Sequence, residues 1–572
     1  MSTIEYISNG VDAARVDAGM DVFNKFIEKS GMEKKSYQYD GVKWLVQNEL
    51  RDVSSGELPY GMRGGFVADE MGLGKTIMMI GLCLANFMHS RKTLIVLPPV
   101  LIEQWSAQIY RTTGHKCAVY HGENKKKFDA KIRDGAVDAF AGAVIVLCSY
   151  DAISIFRDKS GGKGKDKNKN SDNNGNNGNN GNKNRRPKKY IENSLLHRIN
   201  WGRVIFDEAH HLRNKNTTRY LGAKLLSADV KWLVSGTPVQ NRKQDFYALC
   251  SLINLPASYY TDPANFNEIG HAFILKRTKK QVGIDLIDTV QTKKIVQWKS
   301  DAEKRFSEEI HSLIAFTNVK MREQNEHGVG LGGGVGGGVG VGSDSGGITK
   351  GLLPLLLKAR QSCIYPKMIK MNGDGGKVGG LNSNTNTNTT TTSKLDSVVD
   401  AILQRKDNGN GKLVFCHFRE EMVEIARRLQ IQKKDEDGQD EDGQDEGIGK
   451  GLSVGILDGK ITKSARHKLL SDKKDVLILQ IQTGCEGLNL QDNYSEVYFV
   501  SPHWNPYVED QAIARCHRIG QKKPVFVWRF EMKNFGANVI GDGSIVSTKN
   551  LEEYVMDVQA GKRNIVSNII VE

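Results

Sequence analysis

The sequence predicts an α/β protein built as two doubly wound parallel-sheet lobes in tandem, and three observations predict it. Near-continuous apolar runs recur along the chain, each closing on a polar turn, which is the pattern of strands buried on both faces of a parallel sheet. Helical stretches separate the runs, as crossovers between parallel strands require. The pattern restarts after residue 300, and a chain of 572 residues is too long for one core, which rarely grows past ~250–300 residues.

Taken in order, residues 1–35 read as a helical lead-in with Val22, Phe23, Phe26 and Ile27 at helical spacing. A helix follows from Tyr37, with Val42, Trp44, Leu45 and Val46 turned inward, and Gln38 ahead of it carries an amide able to read an adenine edge. Gly65–Ala68 is a short buried strand and Ile77–Leu84 a buried helix. Thr93–Leu97, Val144–Leu147, Val204–Phe206 and Trp232–Val234 are further strands of this first lobe. In the second lobe Lys412–Cys416, Val476–Leu479 and Val497–Val500 alternate with helices such as Glu420–Gln430. Four segments interrupt the pattern: 158–189 (Lys/Asn/Gly), 328–347 (Gly/Val), 372–394 (Gly/Asn/Thr) and 432–451 (Asp/Glu/Gly). Their composition cannot bury enough apolar area to offset ordering entropy, so they are expected to be disordered low-complexity inserts.

Between the strand at 65–68 and the helix at 77–84 lies Asp69-Glu70-Met71-Gly72-Leu73-Gly74-Lys75-Thr76. Strand, glycine loop and helix form a phosphate cradle. Gly72 and Gly74 let backbone N–H groups turn onto phosphate oxygens beside the positive end of the helix. Lys75 is placed to reach the β/γ-phosphates and the Thr76 hydroxyl to ligate Mg²⁺. Asp69 departs from the strict pattern, which has Gly there. The second half of a triphosphatase site is Asp207-Glu208 at the end of an apolar strand, Asp207 for Mg²⁺ and Glu208 to orient and deprotonate water.

Composition narrows the partners. The net charge is +14, from 80 Lys+Arg against 66 Asp+Glu, which suits a polyanion. Residues 157–189 hold 11 basic and 3 acidic residues, net +8, whereas 431–450 hold 3 and 8, net −5. The eight cysteines are scattered without any C-x-x-C pair, which argues against a zinc ribbon or RING module and fits reduced thiols. There is no run of 18 apolar residues and no signal-peptide start, so a soluble, intracellular protein is expected.

Gln38, DEMGLGKT at 69–76, DEAH at 207–210 and SGTPVQN at 235–241 together resemble the ordered motifs of superfamily-two helicases, and of the Swi/Snf family of DNA-dependent ATPases in particular. Phe273–Lys280 resembles that family's F-x-L-R-R-T-K-K linker, and Leu357–Cys363 its L-R-x-R-Q-x-C helix. Leu457-Asp458-Gly459, Trp504-Asn505-Pro506 and Gln511–Gln521 resemble its second-lobe motifs. The resemblance covers roughly residues 36–530, and Asp69 is what its first motif has.

The resemblance implies two RecA-like lobes that clamp ATP and Mg²⁺. Its ligands and catalysts would be Gln38, Asp69, Gly72, Gly74, Lys75, Thr76, Asp207 and Glu208, with Arg515 and Arg518 as arginine fingers. His210, Thr237 and Gln511 would couple nucleotide state to lobe closure. Double-stranded DNA is the implied partner, contacted by loops carrying Pro99, Gln104, Ser149, Tyr150, Gln240, Asn241, Gly487, Asn489 and Trp504. The family's A-G-G-x-G-x-N-L is here Thr483–Leu490, with Glu486 near the expected phosphate path. The implied activity is double-stranded DNA translocation that remodels or displaces bound proteins, such as nucleosomes or transcription machinery. A strand-separating helicase and a non-catalytic DNA-binding scaffold are the alternatives. The expected organisation is a lead-in (1–35), an ATP-binding lobe (36–276), a linker and protrusion (277–394), a C-terminal lobe (395–530) and an extension (531–572). The nucleus, or a viral factory or virion, is the expected location.

Overall fold

The structure is a computed structural model that describes residues 12–51, 62–87, 92–134, 139–157, 190–192, 194–236, 243–314, 348–369, 392–430, 451–484, 487–539, 545–547 and 549–569. The inserts expected at 158–189, 328–347, 372–394 and 432–451 lie outside these residues save at two ends: residue 451 is described, and Ser393 and Lys394, expected in an insert, are buried at the start of the helix Ser393–Leu403. The chain divides into two units, one closing at Thr278 and the other opening at Lys279.

The first unit is built on β1 (Gly64–Val67), β2 (Thr93–Leu97), β3 (Ala118–Tyr120), β4 (Ile145–Ser149), β7 (Trp201–Asp207), β8 (Ala228–Val234) and β9 (Ile274–Leu275). A small antiparallel pair, β5 (Ile155–Arg157) with β6 (Tyr190–Glu192), stands apart. The seven strands run parallel in the order β3-β4-β2-β7-β8-β1-β9. Burial on both faces explains their apolar composition. The lead-in helix Ala13–Lys29 packs into this unit's core through Val16, Met20, Phe23, Phe26 and Ile27. Val22, expected inward, is exposed, because 3.6 residues per turn carries it off the stripe that Phe23 and Phe26 share. Val42, Trp44, Leu45 and Val46 are fully buried in the same core.

A buried charge sits within that core. The Glu49 carboxylate takes both guanidinium arms of Arg203, the Trp232 indole N–H at 2.8 Å and the Asn86 amide at 2.7 Å. Arg203 also donates to Thr93 Oγ1 at 3.1 Å and Asn86 O at 3.0 Å. A buried ion pair is tolerable only when its remaining donors and acceptors are satisfied in this way.

The second unit holds β10 (Thr289–Val296), β11 (Gly411–Cys416), β12 (Val454–Leu457), β13 (Val476–Gln480), β14 (Tyr494–Phe499) and β15 (Val525–Met532), in the order β10-β15-β14-β11-β13-β12. All the neighbouring pairs are parallel. β10 falls inside the stretch expected to be a linker and is instead an edge strand of this sheet. Five of its eight residues are polar and half of the eight are exposed, so it carries no continuous apolar run. A two-stranded hairpin, β16 (Ala537–Val539) with β17 (Ile545–Ser547), follows, and the helix Leu551–Ile569 ends the described chain. That helix joins Asp301–Ser312 and Ile348–Ile364 in a cluster of its own through Phe306, Ile310, Leu356, Leu551 and Val555.

Candidate nucleotide-binding and hydrolytic site

The glycine loop leaves β1 and enters the helix Lys75–Ala85. Gly72 (φ 95°) and Gly74 (φ 79°) both occupy the left-handed region that side chains resist. A Cβ on Gly74 would also stand 2.4 Å from Gln38 Nε2. Gln38 is buried and donates that Nε2 to Leu73 O at 3.3 Å, so it braces the loop from beneath. Above the loop, the N-terminal end of the helix Lys75–Ala85 and its dipole favour an anion. Lys75 Nζ bonds Asp69 O at 2.7 Å and Glu70 O at 3.3 Å. Thr76, half-buried, lies on the same first turn.

Asp69 points the other way. Its fully buried carboxylate is gripped by Arg277, Nε to Oδ1 at 3.1 Å and Nη2 to Oδ2 at 2.5 Å. Arg277 Nη1 donates to Tyr37 O at 2.6 Å, and Glu70 N–H donates to Arg277 O at 2.9 Å. One arginine at the end of the first unit thus ties together the loop and the start of the Gln38 helix. The Asp69 side chain, expected among the nucleotide contacts, is a pin for the loop.

The acidic pair arrives by register. Asp207 on β7 is level with Val234 on β8, and Val234 with Val67 on β1, so loop and acid leave the sheet at one height, two strand spacings of about 4.8 Å apart. Asp207 Oδ2 accepts the Trp105 indole N–H at 2.7 Å, Oδ1 the Glu208 N–H at 3.0 Å, and its carbonyl the Tyr150 hydroxyl at 2.7 Å. Burial first, and the neighbouring Glu208 charge second, push its carboxyl up to about 7. Glu208 and Asn254 are the non-glycine residues at positive φ among those described, Glu208 at 51°. Strain of that kind gathers at functional sites. It places Glu208 Oε2 3.3 Å from His210 Nδ1, which also lies 3.4 Å from Ser235 Oγ. His210 stacks on His211 at 4.7 Å, and His211 packs on the Tyr150 ring at 5.4 Å. The turn after β8 closes on the loop, since a Cβ on Gly236 would lie 3.5 Å from Lys75 Nζ.

These groups fit Mg²⁺. The Thr76 hydroxyl and Asp207 carboxylate are hard oxygen donors, the latter buried beside the Glu208 charge. No cluster of three or more His, Cys, Asp or Glu suited to an ion occurs among the described residues. Mg²⁺ commonly uses one or two protein oxygens, completing its shell with phosphate and water.

In the second unit, Arg515 and Arg518 lie just past the helix Pro506–Ile513. Arg515 Nε donates to Gln511 O at 3.1 Å, and Arg518 Nη1 donates to Asn489 Oδ1. Burial, with Arg515 beside it, lowers the Arg518 pKa. Gln511 is buried. Asn489 and Gly487 (φ 71°) stand on the loop facing Arg518, so Asn489, expected on DNA, holds an arginine. Trp504 lies beneath the Arg360 guanidinium at 5.4 Å and edge-on to Tyr554 at 6.1 Å. Burial pulls Arg360 down to about 10.

Of the other expected DNA contacts, Pro99 and Gln104 are exposed, whereas Ser149 and Tyr150 are both 2% exposed. Ser149 Oγ lies 3.3 Å from His121 Nδ1, and the Tyr150 hydroxyl is spent on Asp207. Both are buried where β4, flanked by β3 and β2, ends and a short helix begins. Thr237, Gln240, Asn241 and Glu486 lie outside the described residues. The sequence reading missed Trp105, Ser235 and Arg277. Arg277 and Ser235 left a signal, since they lie within the motifs at 273–280 and 235–241, whereas Trp105 left none.

The family description "SNF2-related domain" matches residues 37–329 and "Helicase conserved C-terminal domain" residues 393–520. The chain is 23% identical over 511 residues to the probable global transactivator of Orgyia pseudotsugata multicapsid polyhedrosis virus, covering 86% of this chain and 85% of that protein. It is 22% identical to DNA repair protein RAD5B of Arabidopsis thaliana, covering 89% and 46%. It is 25% identical to human chromodomain-helicase-DNA-binding protein 9, covering 95% and 17%, so it spans less than half of these two relatives. The solved Sulfolobus solfataricus SWI2/SNF2 ATPase core in complex with dsDNA is 20% identical, with 94% and 93% covered at a TM-score of 0.34. With the SNF2-related match extending over more than half of its length, and the helicase C-terminal match following it, the chain belongs to the SNF2-related family.

Proposed function

We propose that the chain is an ATP-dependent translocase on double-stranded DNA, which spends ATP to remodel or displace DNA-bound proteins without separating strands. The observation that carries the hydrolytic half is the shared height of the glycine loop and Asp207 across β1, β8 and β7. The DNA half draws support from family membership, from relatives named for DNA repair and DNA binding, and from the net charge of +14.

In this reading the loop N–H groups and Lys75 bind the β- and γ-phosphates, and Gln38 serves the adenine end while bracing Leu73. Thr76 and Asp207 would hold Mg²⁺, which when bound neutralises developing phosphoryl charge. Glu208, turned by its positive φ, orients the attacking water and takes its proton. His210, bridging Glu208 and Ser235, passes the state of that carboxylate to the turn after β8. Arg515 and Arg518 act as arginine fingers, a contribution worth about 10³–10⁵ in related phosphoryl transfers. The motor lobes fall in the two units, the first closing at Thr278 and the second taking in β10 as well as 395–530; the protein's place is where its DNA lies, nucleus or viral factory, and contacts run chiefly to phosphate and sugar.

The test is ATP turnover with and without duplex DNA at low salt, alongside a forked duplex with labelled ends. Expected are duplex-stimulated turnover, no strand release, and no turnover for Lys75→Ala. Turnover indifferent to duplex DNA overturns the translocase, released strands favour a helicase, and an inert wild type favours the scaffold.

A further inference from the structure

The helix Leu551–Ile569 lies beyond the matched C-terminal domain, which ends at residue 520, yet its side chains converge on one short stretch, His503–Asp510. Gln559, 6% exposed, donates to Glu509 Oε1 at 2.8 Å and to His503 O. Lys562 Nζ donates to Trp504 O at 2.7 Å. Arg563 forks onto Asp510, both arms at 3.0 Å, with its guanidinium 5.7 Å from the Tyr507 ring centre. Glu509 is held on its other oxygen by Arg529 Nε at 3.0 Å.

The root of the helix is fixed as firmly. Glu552 pairs with buried Lys394 and accepts Met532 N–H at 2.8 Å, while Asn550 donates to Met532 O at 2.8 Å. The helix is therefore a rigid arm fastened to β15 at one end and to the helix Pro506–Ile513 at the other. Directly after Glu509 and Asp510 comes Gln511, whose carbonyl accepts Arg515 Nε at 3.1 Å, and Ala514 N–H returns to Asp510 O at 3.0 Å.

We infer that the helix Leu551–Ile569 positions Arg515: Gln559 and Arg563 set the azimuth of the Pro506–Ile513 helix, and Gln511 O carries it to the guanidinium. This rests on the proposed role of Arg515 and adds a positioning element outside the motor motifs. Arg563 and Asp510 are both well exposed (49% and 37%), and exposed pairs add little to stability. Breaking this contact therefore spares the fold while loosening the arginine, and misplacement of a reacting group by about 1 Å can cost 10²-fold.

The experiment compares duplex-stimulated ATP turnover of the full chain with that of Gln559→Leu/Arg563→Ala, and of Asp510→Arg, Arg563→Asp and their charge-swapped combination. Expected is a kcat loss of about tenfold or more in the double variant at unchanged KM for ATP, read well below the thermal midpoint, which loss of the buried Gln559 donor lowers. The swapped pair recovers more than either single change. Wild-type-like kcat in the double variant overturns the inference and leaves the translocase standing, as does a kcat loss that merely follows a fall in thermal midpoint. A wild type without turnover overturns both.

Discussion

Asp69 and Arg277 show how a residue that looks like a ligand can be a foundation. The Asp69 carboxylate is fully buried and its ion pair is bidentate. Arg277→Ala would leave that charge without a partner, a change that costs about 3–5 kcal/mol in buried pairs. Urea unfolding should register the loss, and Asp69→Ala in the same background should return part of it, because the orphaned charge is then gone. An additive double variant would contradict the pairing. Tyr150 makes the converse case. Tyr150→Phe removes the hydroxyl on Asp207 O, worth about 1 kcal/mol, so kcat should fall by up to about fivefold with duplex affinity unchanged. A loss of duplex affinity would restore Tyr150 to the DNA surface. The placing of Gly72, Gly74, Lys75 and Thr76 on one strand–loop–helix turn, and of Asp207 and Glu208 at a strand end, was legible in the sequence because short spacings fix local structure. Trp105 and Arg277 were not, since each reaches its acid across more than 100 residues and only the folded sheet brings them there.

At the scale of elements, the inner strands other than β15 were legible to within a few residues, because burial on both faces leaves continuous apolar runs. β10 and the helix Leu551–Ile569 were not, the first being a mostly polar edge strand and the second a helix that joins apolar packing at its start to polar contacts further on. The joint between that helix and Asp301–Ser312 carries a pH dependence. His311 is 1% exposed; its Nδ1 bonds Ser307 O at 2.7 Å and its Nε2 accepts Leu551 N–H at 3.1 Å. Burial lowers its pKa to about 4, because protonation would set an Nε2–H against the Leu551 donor. A histidine whose folded pKa is depressed favours the neutral form. Its stabilising contribution is present above the unfolded value near 6.5 and lost as pH falls toward 4, where unfolded chains bind the extra proton. Stability should therefore fall by on the order of 3 kcal/mol across that window, and His311→Gln should flatten the slope. An equal slope in both proteins would show that other groups govern it.

For the whole molecule, the proposed division of labour puts nucleotide binding in one unit and the arginines in the other, so the two kinds of variant should fail differently. Lys75→Ala should remove ATP binding and all turnover. Arg515→Ala should leave ATP binding and duplex binding intact while abolishing stimulation by DNA, a loss of about 10³-fold or more if the arginine acts on the transferring phosphoryl group. Salt supplies an independent reading of the same arrangement. Duplex contacts made mainly to phosphates release counterions, so duplex affinity should fall linearly on a log–log plot against salt. Turnover at saturating duplex should barely respond, because the buried groups around Asp207 are shielded from ions. An Arg515→Ala protein that keeps its stimulation would confine the chemistry to the first unit and remove the reason for a second lobe in hydrolysis. A salt-independent duplex affinity would instead remove phosphate as the feature recognised.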